Sequence, residues 1–145
     1  MDWKREADEK LRDYEARKQA LQNIPDELAR LESAYTHVRG ANITGVPAAG
    51  GYDSHEDALL SNIVLRQELK YVLKQARKWV KTVDRALSVL DADERLILDL
   101  LYMRRAKGNV DRICEKLNIE KTQVYSRKER ALRHFTIAYY NITEN

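Results

Sequence analysis

The densest group of cationic side chains in this 145-residue chain lies between residues 120 and 134. Five residues of that segment are lysine or arginine: Lys121, Arg127, Lys128, Arg130 and Arg133. Only Glu120 and Glu129 are acidic, so the local excess of three positive charges equals the formal net charge of the whole chain. A basic segment is usually a solvated surface, but concentrated positive charge is also what neutralises nucleic-acid phosphates.

Side chains that could support catalysis or metal binding lack the necessary spacing. His37, His55 and His134 stand far apart, and the single cysteine, Cys114, excludes an intramolecular disulfide and a thiolate zinc cluster. The sequence has no nucleophile motif and no phosphate-binding glycine loop. The acidic group at residues 53–57 is interpreted as the start of a helix rather than as a metal site. We therefore expect no enzyme, no catalytic residue, no cofactor and no metal.

The composition favours an all-α fold for the elements that position the cationic segment. Five glycines and two prolines are few for a sheet protein with many tight turns. With 43% hydrophobic residues, the chain can still bury a core although 34% of its residues are charged. No apolar run is long enough for a membrane span, and the charged first twenty residues do not resemble a secretory signal. The expected location is cytoplasmic.

The C-terminal third follows the pattern of a helix-turn-helix. A capping box at residues 91–94 opens one helix, and Gly108 and Asn109 end it and cap the next. Asn118 suits a left-handed turn, and a last helix is predicted over 120–140. Compact apolar residues would brace the two helices of the motif from behind: Ile113, Cys114, Leu117, Ile119 and Val124.

In such a motif the first turns of the second helix enter the major groove of DNA, so their exposed side chains should form hydrogen bonds or carry positive charge. Here these positions hold Lys121, Thr122, Gln123, Tyr125, Ser126, Arg127 and Lys128. The supporting segments add cations where phosphates would pass: Arg104, Arg105, Lys107 and Arg112. The pattern favours binding to double-stranded DNA. The alternative is a structural helical bundle with a solvated basic face.

Composition divides the chain into four zones: N-terminal helices over 1–38, a loop over 39–54, a long helix over 55–86 and the helix-turn-helix domain over 87–145. Pro25 predicts a break between two helices in the first zone. The loop holds four of the five glycines. It is interpreted either as a connector or as an arm, carrying Arg39, that touches DNA or RNA polymerase.

Two series of apolar residues repeat every seven positions in the long helix. One series is Leu65, Val72, Trp79 and Ala86, and the other is Leu69, Ala76, Val83 and Leu90. This is the pattern of a coiled-coil seam. It predicts either a long helical hairpin with the N-terminal helices or a homodimer through the heptad helix.

Three motifs resemble the region of bacterial sigma factors that reads the promoter −35 element: Leu90-x-x-x-Glu94-Arg95-x-Ile97-Leu98, the short segment Ile113–Ile119, and Val124-Tyr125 followed by Arg130-Ala131-Leu132. Nearly the whole chain is similar to small proteins of Gram-positive phages and prophages that have a sigma-like C-terminus and are related to ArpU/RinA-type regulators of late genes. The wider similarity rests on Tyr14–Lys18, Asn23–Pro25, Pro47–Gly51, Glu56–Leu59 and Gly108–Asp111.

The resemblance implies a C-terminal domain of the sigma region-four type. By position, Lys121, Thr122, Tyr125 and Ser126 match the residues that contact base edges in that family. The residues assigned to phosphates are Arg104, Arg105, Arg112, Arg127, Lys128, Arg130 and Arg133. The chain departs from the family at the start of the last helix, where Glu120 replaces the usual serine or threonine. It also lacks the segment that melts the −10 element, so an autonomous sigma factor is not expected.

The protein is expected to be a sequence-specific DNA-binding transcriptional regulator of phage or prophage genes that acts as an activator. Its partners would be double-stranded DNA, bacterial RNA polymerase and a second copy of the chain. One alternative is a DNA-packaging recognition subunit similar to the small terminases. A second alternative is a helical protein that binds host RNA polymerase and does not read DNA.

Overall fold

The computed structural model describes residues 2–41 and 51–142, which are all-helical and contain no strand. The order of elements is α1 (Trp3–Ala41), α2 (Gly51–Val89), α3 (Ala92–Leu98), a π-helical turn (Asp99–Met103), α4 (Asn109–Leu117) and α5 (Lys121–Tyr140). The all-α prediction is confirmed. The two long helices extend into both ends of the predicted loop, and the remainder of that loop, 42–50, lies outside the described residues.

The predicted break at Pro25 is wrong, because α1 continues through it as one helix of 39 residues. Proline inside a helix lacks the N–H of one backbone hydrogen bond and crowds the carbonyl four residues earlier. Apolar residues on both sides of it are nevertheless buried, namely Ile24 and Leu31. Their burial favours a continuous helix more strongly than the proline opposes it.

The chain divides into two compact units that cut across both long helices. The first unit contains residues 1–18 and 78–145, and the second contains residues 19–77. In the first unit Ala7, Leu11 and Tyr14 of α1 are buried, and the Tyr14 hydroxyl donates to the Asp84 carboxylate of α2 at 2.5 Å. Burial raises the pKa of Tyr14, and this hydrogen bond is the next largest cause of the increase, so the phenol stays protonated.

In the second unit the side chain of Asn62 joins α2 to α1. Its Nδ2 donates to the Leu31 carbonyl oxygen at 2.8 Å. The guanidinium of Arg66 lies 4.9 Å from the centre of the Tyr35 ring, a cation–π distance. Segments of the two long helices therefore pack against each other within this unit.

Only one of the two predicted heptad series in α2 is buried along most of its length. Ala76, Val83 and Leu90 are buried as expected, whereas Leu65 and Val72 of the other series are exposed. Leu73 and Val80, which follow Val72 and Trp79 of that series by one position, are buried instead. Because each of these lies four residues after a member of the buried series, the buried stripe keeps its four–three spacing on a slightly rotated face.

The capping prediction for α3 is confirmed at Asp91, whose carboxylate accepts the Glu94 backbone N–H at 2.8 Å. The Glu94 side chain does not complete the box as expected. Its carboxylate is buried and lies 2.5 Å from Nδ1 of His134 on α5. Among the described residues, no helix has both the length and the apolar content needed to span a bilayer.

Candidate nucleic-acid interface

α4 and α5 pack on α3 and the π-helical turn through a small apolar core. Ile97, Leu100, Ile113 and Val124 are buried at its centre. Partly buried apolar residues surround them: Leu96, Leu101, Val110, Cys114, Leu117 and Ile119. The five residues predicted to brace the motif all belong to this core.

The turn between α4 and α5 has the geometry that the sequence predicts. Asn118 adopts a left-handed conformation with φ of 54° and ψ of 51°, which asparagine tolerates better than most residues. The N–H of Ile119 donates to the Cys114 carbonyl oxygen at 3.2 Å, and the Ile119 side chain packs on the core. The turn therefore fixes where the N-terminus of α5 begins.

The first turn of α5 is capped by Gln123. Its Oε1 accepts the Glu120 backbone N–H at 3.1 Å, the returning half of a capping box. Glutamate at the N-cap also places a negative charge beside the positive end of the helix. The departure from serine or threonine at Glu120 is therefore compatible with an ordered helix start.

The four predicted base-reading residues, Lys121, Thr122, Tyr125 and Ser126, are all exposed. They fall on two flanks of α5. Lys121 and Tyr125 line a cleft on one side, whereas Thr122 and Ser126 do not. On the buried side of the same turns, Val124 has no exposed surface. In this unit the polar side of the helix is thus exposed, while its apolar side packs on the core.

The cleft beside α5 is strongly cationic and has a volume of about 810 Å³. In the part of the chain that the structure describes, its lining includes five cationic side chains: Arg12, Arg105, Lys107, Lys121 and Lys128. One carboxylate, Asp111, belongs to the same described lining. The N-terminus of α4, which begins after Gly108 at a φ of 84°, also faces the cleft and adds positive potential. Such a surface can hold anionic oxygens.

Arg12 is the residue of this cleft that sequence reasoning missed. It belongs to α1, and its guanidinium lies 5.5 Å from the centre of the Tyr102 ring. Burial raises the pKa of Tyr102, so the ring stays neutral beneath the cation. No short-range sequence signal links position 12 to position 102, because only the packing of α1 brings them together.

Asn109 connects the π-helical turn to α4. The structure places Gly108 rather than Asn109 at the N-cap, and the buried Asn109 side chain donates instead to the carbonyl oxygens of Leu100, at 2.7 Å, and Arg104, at 3.0 Å. Its Oδ1 has no hydrogen-bond partner among the described residues. The side chain thereby fixes the cationic loop at 104–107 against α4.

Among the described residues, carboxylates pair with three of the predicted DNA contacts, Lys121, Arg127 and Arg104. Lys121 Nζ lies 3.8 Å from the Asp111 carboxylate, and both side chains are well exposed. Arg127 lies 3.6 Å from Asp93, and Arg104 forms a two-pronged pair with Asp99. Arg127 and Arg104 are therefore held by carboxylates on the side of α3 and the π-helical turn.

The remaining residues assigned to phosphates lie in the segment before α4, on α4 and on α5. Arg105 is exposed in the segment before α4, and Arg112 is exposed on α4. Arg130 and Arg133 are exposed on α5. Lys128 is partly buried, and its Nζ lies 5.5 Å from the Tyr125 ring centre. Lys4 of α1 pairs with Glu129 at 2.6 Å, which offsets one of the two acidic charges of the segment.

No protein-family model, curated protein or solved structure matches this chain.

Proposed function

We propose that this protein is a sequence-specific DNA-binding transcriptional regulator, an activator of phage or prophage genes, that reads a promoter-type site through α5. The observation that carries the proposal is the exposed polar side of the first two turns of α5. Lys121, Thr122, Tyr125 and Ser126 are open to solvent, while Val124 between them is sealed in the core. Reading of the major groove requires a helix whose apolar side packs on the rest of the protein and whose exposed side carries hydrogen-bonding side chains.

The cationic cleft supports the same proposal, because a helix in the major groove brings phosphates close to its flanks. Arg105, Lys107 and Lys128 lie on the cleft beside the N-terminus of α4. Phosphate oxygens would be stabilised there by charge and by the helix dipole together. A pocket for an apolar ligand would not concentrate five cations.

The sequence resemblance to the −35-reading region of sigma factors supports the choice of transcription control within the DNA-binding class. Under this proposal, Lys121, Thr122, Tyr125 and Ser126 contact base edges. Arg105, Arg112, Arg130 and Arg133 contact phosphates. Arg104 and Arg127 would have to exchange their carboxylate partners, Asp99 and Asp93, for a phosphate.

The test is selection of bound sequences from a pool of random duplex DNA with the full chain. The proposal predicts enrichment of one motif, and the protein should retard a duplex that carries this motif more strongly than it retards random duplex. Recovered sequences with no motif above the input pool would contradict sequence-specific reading. Tight binding to bacterial RNA polymerase without retardation of any duplex at low salt would also overturn it.

A variant in which two of the proposed base-reading side chains of α5 are shortened provides the control. Thr122→Ala and Ser126→Ala change exposed residues that are not in the apolar core, so the fold should be retained. The double variant should keep its helical circular dichroism and lose the enriched motif. Enrichment of the same motif would show that other residues read the bases.

A further inference from the structure

The part of α2 that lies in the second unit has an apolar face directed away from α1. Leu60, Val64 and Tyr71 are 54%, 55% and 65% exposed. At 100° per residue these three positions fall within about 40° of one another, on the side of the helix opposite Leu69 and Leu73, which pack inward. Leu65 and Val72 are also exposed, but they lie about 100–120° from the centre of this stripe and are not part of it.

This patch, which we call the outer face of α2, would be unfavourable in water as a permanent surface. Three large apolar side chains in one stripe are typical of a helix that packs on a partner helix. In the second unit, the contacts that join α1 to α2, through Asn62 and Arg66, lie on a different side of α2. The outer face thus lacks a cover among the residues that the structure describes.

The charges at the two ends of the outer face indicate what covers it. Glu56 and Asp57 are exposed before Leu60, whereas Lys74 is exposed after Tyr71. The face is therefore acidic at its N-terminal end and basic at its C-terminal end. A partner with the same sequence and the opposite direction would place acid against base at both ends.

We infer that the outer face of α2 is a self-association surface that pairs with the same face of a second copy of the chain in antiparallel orientation. Alignment of Leu60 with Tyr71 of the other copy also aligns Asp57 with Lys74, and two-fold symmetry repeats each pair. A parallel pairing would oppose like charges at both ends instead. The antiparallel direction follows from that difference.

The first experiment measures the mass of the full chain by sedimentation equilibrium without DNA. The wild-type mass should approach twice 16.9 kDa as concentration rises. Val64→Glu should weaken dimerisation by at least about 100-fold, because symmetry places the buried charge in the interface twice. Val89→Glu is the matched control, since Val89 is exposed in the first unit, and it should dimerise as the wild type does.

A wild-type chain that stays monomeric, or a Val64→Glu chain that dimerises normally, would overturn the inference. Circular dichroism of Val64→Glu should match that of the wild type because the side chain is exposed. A discrete assembly of many subunits would also contradict it, because a two-fold antiparallel pair closes on itself.

The second experiment tests the direction of pairing by cysteine cross-linking in a Cys114→Ala background. A mixture of Leu60→Cys and Tyr71→Cys chains should form a disulfide-linked dimer under mild oxidation. Each variant alone should not, because the antiparallel pairing separates identical positions by about 16 Å along the helix. Efficient cross-linking of Leu60→Cys to itself would contradict the antiparallel orientation.

The charge pairing has its own readout. Asp57→Lys should weaken dimerisation, because lysine then faces Lys74 in both pairs, and added salt should strengthen this dimer where it weakens the wild-type one. Addition of Lys74→Asp should restore the wild-type affinity and the wild-type response to salt. Failure of the double variant to recover the dimer would contradict the pairing of Asp57 with Lys74. Because these measurements contain no DNA, their outcome is independent of whether α5 reads a promoter.

Discussion

Single residues on the exposed side of α5 differ in how firmly the chain already holds them. Lys121 and Asp111 form a long, exposed ion pair, which is worth little in water. Arg104 and Asp99 form two hydrogen bonds through a planar guanidinium, a stronger arrangement. Lys121 can therefore change partners at small cost, and Arg104 is the more costly of the two to recruit to DNA.

Lys121→Ala and Arg130→Ala should affect DNA binding in different ways. If Lys121 contacts a base edge, its loss should reduce discrimination between selected and random duplex by roughly 1–3 kcal/mol. Arg130→Ala should weaken binding to both duplexes about equally, because a phosphate carries no sequence information. Titrations of both duplexes by fluorescence anisotropy measure the two effects.

Asp111→Asn is the control of opposite sign for this pair. It removes the carboxylate that lies beside Lys121 on the cleft and should tighten binding to both duplexes. Equal losses on selected and random DNA for Lys121→Ala would assign that residue to phosphates. Weaker binding by Asp111→Asn would indicate that the cleft does not face the duplex.

The residue types on α5 were predictable from the sequence, but their partners were not. The excess of lysine and arginine over 120–134 is visible without a structure. The pairs Arg127–Asp93 and Lys4–Glu129 join residues 34 and 125 positions apart, and only tertiary packing creates them. The exposed side chains of α5 thus follow from local pattern, and the electrostatics around them do not.

Among the elements, α3 depends on the cap at Asp91. The hydrogen bond from the Glu94 backbone N–H lowers the pKa of the Asp91 carboxyl below its ordinary value. Asp91→Ala should lower the free energy of unfolding by about 1 kcal/mol at neutral pH, while Asp91→Asn should retain most of the cap. Urea unfolding at fixed protein concentration measures the difference.

The contribution of Asp91 should depend on pH in one direction. Because its pKa is depressed in the folded state, the unfolded chain binds the proton more readily, and the stabilisation is present above the ordinary carboxyl range. It should diminish as pH falls below about 4, so the gap between the wild type and Asp91→Ala should narrow there toward the gap between Asp91→Asn and Asp91→Ala. A difference that persists unchanged at pH 3 would contradict the assigned hydrogen bond.

α1 is the element in which local sequence rules gave the wrong answer. Proline usually occupies the first turn of a helix, so Pro25 predicted a helix start. Burial of Ile24 and Leu31 is a tertiary effect that such rules do not contain. The turn at Asn118, in contrast, was predictable because its left-handed backbone is a local requirement.

Pro25→Ala should therefore stabilise the protein. A proline in a helix interior costs about 3 kcal/mol relative to alanine, and its restriction of the unfolded chain returns roughly 1 kcal/mol. We expect a net gain of about 2 kcal/mol, measured by urea unfolding. Asp26→Ala, at an exposed neighbouring position, should change stability by less than about 0.5 kcal/mol. A loss of stability in Pro25→Ala would contradict the account of α1.

At the scale of the whole molecule, charge matters by where it gathers rather than by its sum. The net charge of +3 is modest, yet within residues 2–41 and 51–142 five cationic side chains from three parts of the sequence line one cleft. Arg12 comes from α1, Arg105 and Lys107 precede α4, and Lys121 and Lys128 belong to α5. The sequence indicated Arg105, Lys107, Lys121 and Lys128 as cations toward DNA, whereas the cleft itself and the contribution of Arg12 required the folded chain.

The salt dependence of DNA binding should report each cation that meets a phosphate. Each neutralised phosphate contributes about 0.9 to the slope of log K against log salt concentration. Arg12→Ala should reduce that slope by about 0.9. Arg5→Ala is the matched control, since Arg5 pairs with Glu9 on α1 as Arg12 pairs with Asp8, but Arg5 does not line the cleft. Identical slopes for the two variants would exclude Arg12 from the interface.

The most direct test of major-groove reading by α5 is methylation interference on the duplex selected by the full chain. Methylation of guanine N7 alters the major-groove edge, and methylation of adenine N3 alters the minor-groove edge. If α5 enters the major groove, N7 methylation at guanines within the selected motif should block binding, while N3 methylation should leave it intact. Interference confined to adenine N3, or none at either position, would contradict entry of α5 into the major groove.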